Sequence, residues 1–155
     1  MREALAASEE LIDEIFRATA VVVGVPMYNF GMPAQLKAYV DQIVRVGRTF
    51  SFGDGNAAKP YQTLVPSKPV VIFTSTGTGG FEPGGHSAHF NFLDPHLQAV
   101  FNFIGLTDIS FVRVSDEEQK NAQFHQTMAG AELAIETLVE RIANVRADEE
   151  DLVRC

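Results

Sequence analysis

Ala20-Val21-Val22-Val23-Gly24-Val25 runs directly into Pro26-Met27-Tyr28-Asn29-Phe30-Gly31-Met32-Pro33, and the fold turns on how this stretch is read. Its first half is short, apolar and β-branched, with no polar alternation. Such a run is a strand covered on both faces, as in a parallel sheet between helices. Its shortness and the stop at Pro26 argue against a buried helix. On the N-terminal side, residues 4–17 put Leu5, Leu11, Ile12, Ile15 and Phe16 largely on one face and Glu9, Glu10, Asp13 and Glu14 opposite, which predicts an amphipathic helix. On the C-terminal side, Pro33 opens a second helix to about Val46, with Leu36, Val40, Ile43 and Val44 as its stripe and Gly47 as its stop. Residues 51–69 carry repeated Gly and Pro and read as loop. Val70-Val71-Ile72-Phe73 is a second buried strand, and Ile109 to Val114 a third. Between them Asp94-Pro95 predicts a helix start, closed at Gly105, and residues 117–145 a last helix. Helices and strands alternate throughout, so the expected class is α/β, with a parallel sheet and its ligand loops at the carboxyl ends of the strands.

Composition narrows the function. The 155 residues are 46% hydrophobic and 21% charged, which suits one domain with a packed core. Twenty acidic against twelve basic residues give a net charge of −8, a poor match for nucleic acid or an anionic membrane. The only cysteine is Cys155, so an intramolecular disulfide, a CxxC pair and a Cys-based zinc site are excluded. No apolar run approaches a membrane span, and the N-terminus is unlike a signal peptide, so a cytoplasmic protein is expected.

Two strand-end loops could carry chemistry. Pro26 to Pro33 sets two aromatics, two methionines and an amide between a buried strand and a helix N-terminus. A flat heteroaromatic ligand would find apolar faces and backbone N–H groups there. The competing reading is a tight turn whose aromatics fill core. Thr74-Ser75-Thr76-Gly77-Thr78-Gly79-Gly80 allows close backbone approach and offers hydroxyls, and it is no Walker loop. Alone it reads equally as a mobile surface loop. In a parallel sheet both loops lie on one edge of the domain. His86, His89 and His96 with Asp94 match neither H-E-x-x-H nor H-x-x-E-H, so no metal site is expected.

Pro26-Met27-Tyr28-Asn29-Phe30, then Gln35-Leu36-Lys37 with Tyr39 and Asp41, then Gly47-x-Thr49-Phe50, resembles the FMN-dependent NADH-azoreductases, which belong with the flavodoxin-like quinone reductases. Ser75-Thr76-Gly77 is similar to that family's Ser-Arg-Gly-Gly loop, and Phe103 to Ile109 to its helix-to-last-strand corner. The resemblance covers roughly residues 4–145. It implies a flavodoxin-like, doubly wound parallel sheet, one FMN per subunit near the interface of a homodimer, and NADH or NADPH as hydride donor. Two electrons then pass by a ping-pong route to a quinone or azo compound. It places Pro26, Met27, Tyr28, Asn29 and Phe30 around the flavin ring, Ser75 and Gly77 at its pyrimidine edge, and Phe52 where relatives carry a Tyr over the substrate pocket. The flavin carries the chemistry, so no catalytic side chain is assigned.

The chain departs from that pattern at its front. The family starts with a strand, a Ser-rich phosphate loop and a helix, and this chain starts at a helix. It therefore reads as N-terminally truncated, with about three of five strands, residues 1–145 forming the C-terminal part of a reductase domain and 146–155 a charged tail. Strand 20–25 would then be an unguarded sheet edge. The alternative function is a non-catalytic remnant that binds a partner chain through that edge.

Overall fold

Three non-alternating apolar runs become the three strands of one parallel sheet. In the computed structural model, which describes residues 5–53, 55 and 59–154, with side chains to residue 144, they are β1 (Val21–Pro26), β4 (Val70–Ser75) and β5 (Ile109–Val114). The sheet order is β1-β4-β5, with Val21 opposite Val70 and Val70 opposite Ile109. The helices are α1 (Ala6–Arg17), α2 (Ala34–Ile43), α3 (Leu93–Ile104) and α4 (Ala122–Arg154). The expected α/β class with a parallel sheet is what forms.

Alternate residues of each strand face opposite layers. Val70 and Ile72 join Ile12, Ile15, Ile43, Leu97 and Phe101 in the larger core, while Val71 and Val112 meet Ala131 and Leu138 of α4 on the other face. Each fully buried Leu, Ile or Phe contributes about 1.5–3 kcal/mol, so the larger layer dominates stability. On β1, Val21 and Val23 pack against that layer, but Val22 is 63% exposed and Gly24 is exposed. Val21 and Met27 donate their N–H groups to Pro69 and Ser75, so the groups of Val22 and Gly24 point to the outer side. Among the described residues β1 is therefore an open edge, as the sequence predicts.

Several boundaries move for identifiable reasons. Residues 51–69 are not wholly loop. Phe50–Phe52 and Tyr61–Thr63 pair antiparallel as β2 and β3, a hairpin held by Phe50, Tyr61 and Phe103 rings 4.8–5.9 Å apart. Strand β4 extends two residues past Phe73, and β1 includes Pro26, which an edge strand tolerates. Helix α2 ends at Ile43, where the Thr49 hydroxyl donates to the Ile43 carbonyl at 2.7 Å. Helix α3 starts at Leu93, because the Asn91 side chain accepts from the Leu93 and Asp94 N–H groups. Gly105 closes it in the left-handed region, as predicted. Helix α4 starts at Ala122 rather than 117, since Asp116 and Lys120 are left-handed and the Asn121 side chain accepts from Phe124 N–H. Its backbone stays helical through the predicted tail to Arg154, and Cys155 lies outside the described residues.

The C-terminus of α1 is capped from a distance. Lys68 Nζ donates to the carbonyls of Ile15, Phe16 and Ala18 at 2.7, 3.2 and 2.6 Å. A cation there also suits the negative end of the helix dipole. Beside it, Arg45 and Arg48 pair with Glu9 and Asp13 to tie the end of α2 to α1. Among the described residues no helix is long and apolar enough to cross a membrane.

Candidate functional site

The parallel sheet puts the ends of β1 and β4 side by side. Pro26 is in register with Ser75, and Met27 N–H donates to the Ser75 carbonyl at 2.8 Å. The chain then reverses in four residues. Tyr28 and Gly31 exchange both backbone hydrogen bonds at 3.0 Å, with Asn29 at φ 47° and Phe30 at φ 68° between them. Two consecutive left-handed residues inside such a pair make a type I′ turn. Asn accepts that conformation readily; a bulky Phe does not. The turn is held from outside. Phe92 N–H donates to the Phe30 carbonyl at 2.9 Å, and the Phe30 ring packs 5.3 Å from Phe90 and 6.2 Å from Phe81. Tyr28 and Phe30 remain 60% and 48% exposed. The result is a rigid aromatic surface at the strand ends, strained where it presents Phe30.

The glycine loop does not behave as a mobile surface loop. It continues the β4–β5 pairing past both strands. Thr76 N–H donates to Val114, Glu117 N–H to Thr76 and Glu118 N–H to Gly77. Gly79 N–H donates to Asp116 Oδ1 at 3.0 Å, and Gly80 N–H to Glu82 Oε2 at 3.1 Å. A Cβ on Gly77 would lie 2.7 Å from Glu118 Cδ, and one on Gly79 would lie 2.7 Å from Asp116 Oδ2. These glycines admit carboxylates of the chain itself. The amides of Gly79 and Gly80 are thus occupied by acids, which suits no phosphate. Ser75 and Gly77 lie next to the aromatic turn, their carbonyls accepting from Met27 and Glu118 N–H.

Sequence reasoning missed a small cavity of about 130 Å³ below this surface. Met27, Thr74, Phe81, Asp94 and Arg113 contribute to its lining. Arg113 Nε donates to the largely buried Asp94 Oδ2 at 2.7 Å, and its guanidinium sits 4.9 Å above the Phe111 ring. The spacing of 19 residues carries no local signal for that pair.

The predicted site residues do not all meet. Pro26, Met27, Tyr28, Asn29, Phe30, Ser75 and Gly77 gather at the ends of β1 and β4. Phe52 does not join them within the subunit. It lies on β2, 69% exposed, 6.0 Å from Tyr61 and 6.3 Å from Phe50. Among the described residues no three His, Cys, Asp or Glu side chains come together as a metal site. His86 lies against Gly80, and the His89 ring packs 4.1 Å from Phe90.

A sequence family described as a flavodoxin-like fold matches residues 1–137. The FMN-dependent NADH:quinone oxidoreductase of Opitutus terrae is 55% identical over 92% of this chain and 67% of its own length. The FMN-dependent NAD(P)H:quinone oxidoreductase 1 of Pseudomonas aeruginosa is 39% identical over 85% of this chain and 62% of its own length. The chain thus spans about two thirds of the length of the curated relatives it matches. Among solved structures, an azoreductase from Bacillus anthracis superposes with a TM-score of 0.74 at 24% identity, covering 87% of this chain and 62% of that one. An FMN-dependent NADH-azoreductase from the same species, in complex with FMN, gives 0.74 at 21% identity, covering 88% and 64%. At these identities the superpositions establish the fold.

Proposed function

We propose that this chain, which belongs to the flavodoxin-like fold family, is an FMN-dependent NAD(P)H oxidoreductase that acts on quinones or azo compounds. The observation that carries the reading is the rigid aromatic turn Tyr28–Gly31 locked beside Ser75 at the strand ends. The names of the relatives agree with it. FMN, when bound, supplies two-electron chemistry in a ping-pong sequence, with a hydride taken from NADH or NADPH before the acceptor is reduced.

The chain's own residues fit the ring and its edge. Met27 and Phe30 would supply apolar surface, and Ser75 and Gly77 would approach the pyrimidine edge. Tyr28 and Asn29 stay exposed for polar contact with the ring. The glycine loop does not supply the phosphate anchor, because Asp116 and Glu82 hold its amides. In this reading a homodimer completes the substrate pocket. Phe52 and Tyr61, exposed on their hairpin, are offered to the Phe30 surface of a second copy.

Incubation of the protein with FMN, desalting and a visible spectrum tests the proposal. Retained yellow flavin, followed by quinone-dependent NADH oxidation, is expected; a colourless protein refutes it for this chain. One observation favours a second reading. The exposed Val22 and Gly24 of β1 present an open parallel edge, which suits a non-catalytic subunit that binds a partner chain there.

A further inference from the structure

We infer that Asp116 is a positioning residue for the flavin edge, acting through the glycine loop; this rests on the FMN reading above. The residue is only 7% exposed, and a polar side chain this largely covered needs a hydrogen-bond partner. Its Oδ1 accepts from Gly79 N–H at 3.0 Å. Its carbonyl accepts from Gln119 and Lys120 N–H at 3.1 and 2.9 Å, and its φ of 60° turns the chain so that both contacts coexist. A left-handed Asp is tolerated where local hydrogen bonds hold it.

The contact closes a clasp. Thr76 and Gly77 are tied to residues 114–118 by three backbone hydrogen bonds, and Asp116 adds the fourth tie, the only one made by a side chain among those described. Ser75 and Gly77, the proposed ring-edge contacts, sit at the start of the clasped segment. A charge-assisted hydrogen bond in a half-buried loop resists opening more than a neutral one. Gly79 belongs to the same device, since any Cβ there would meet Asp116 Oδ2. Asp116 touches no proposed ring atom, so its effect on flavin is indirect.

The test compares wild type, Asp116→Ala, Asp116→Asn and Gly79→Ala as full chains. Amide hydrogen exchange of residues 76–80 is followed without flavin, and FMN affinity by fluorescence quenching. Asp116→Ala is expected to speed exchange at 76–80 about tenfold, the effect of one charge-assisted bond, with β4 amides unchanged. FMN affinity should fall by a similar factor. Asp116→Asn keeps an acceptor oxygen but not the charge and should restore only part of both. Gly79→Ala displaces the carboxylate without deleting it and should repeat the loss, which separates the clasp from a folding defect of the Asp116→Ala chain. Unchanged exchange in Asp116→Ala and Gly79→Ala overturns the clasp. Faster exchange with unchanged FMN affinity overturns the link to flavin. A wild type that takes up no FMN instead refutes the functional reading, while the exchange arm still decides the clasp.

Discussion

Phe30 combines a bulky side chain in the left-handed region with a half-exposed ring in the proposed site, and replacing it separates the two effects. At φ 68° it occupies the second central position of a type I′ turn, where glycine is preferred. Removing the ring forfeits its half-burial, about 1 kcal/mol of the ~1.5–3 for a fully covered Phe. It also forfeits two tilted ring contacts with Phe81 and Phe90, about 0.5 kcal/mol each at the lower end of the range. Phe30→Ala keeps a Cβ in the left-handed region and should cost about 2 kcal/mol. Phe30→Gly loses the same contacts but releases the strain. After its greater freedom in the unfolded chain is deducted, it should be the more stable of the two by about 1 kcal/mol. Urea unfolding of the three chains measures both gaps as midpoint shifts at constant slope. FMN affinity should fall alike in both variants, because both lack the ring. If alanine is as stable as glycine at this position, residue 30 is not left-handed in solution and the strained turn is wrong. If glycine binds FMN as wild type does, the aromatic surface is not the binding surface.

Three other outcomes follow from the same geometry. Lys68→Met deletes three hydrogen bonds to the end of α1 while keeping the aliphatic stem, and should lower stability by about 1.5–3 kcal/mol in urea unfolding. Tyr39 is held above its usual pKa of 10.0 by burial first and by the Glu14 charge second. Its folded form therefore keeps the proton that the unfolded chain loses, and this contribution is complete below pH 10.0 and declines as pH rises through the folded value. Unfolding midpoints from pH 9 upward should fall more steeply for wild type than for Tyr39→Phe. Val22→Lys puts a charge on the open β1 edge and should alter stability by less than about 0.5 kcal/mol, since the side chain is mostly exposed. Sedimentation velocity should show weaker concentration-dependent association if that edge pairs, and unchanged association would sink the edge-pairing reading.

The legible parts of the fold are those whose signal is local. Val21–Val25 and Val70–Phe73 are apolar without alternation, which marks both as strands; β4 is covered on both faces as that pattern predicts, whereas β1 is not, since Val22 and Gly24 on its other face are exposed. Gly105 ends α3 because the left-handed turn needs it there. The β2–β3 hairpin escapes such reading, since each strand has three residues and its stability comes from Phe103, far along the chain. Asp116 escapes for the same reason: Gly79 lies 37 positions away, and the intervening sequence contains nothing that pairs them. The aromatic turn was legible in composition but not in shape, because a Phe in the left-handed region contradicts its own preference. Among the described residues the non-glycine positions with positive φ are Asn29, Phe30, Asp116 and Lys120. All four follow β1 or β5, at the carboxyl end of the sheet where parallel folds place their ligands. Local preference gives way there because distant partners hold the backbone. Phe92 holds Phe30, and Gly79 holds Asp116. Strain confined to one rim, and compensated from across the chain, marks that rim as the part of the molecule shaped for something other than folding.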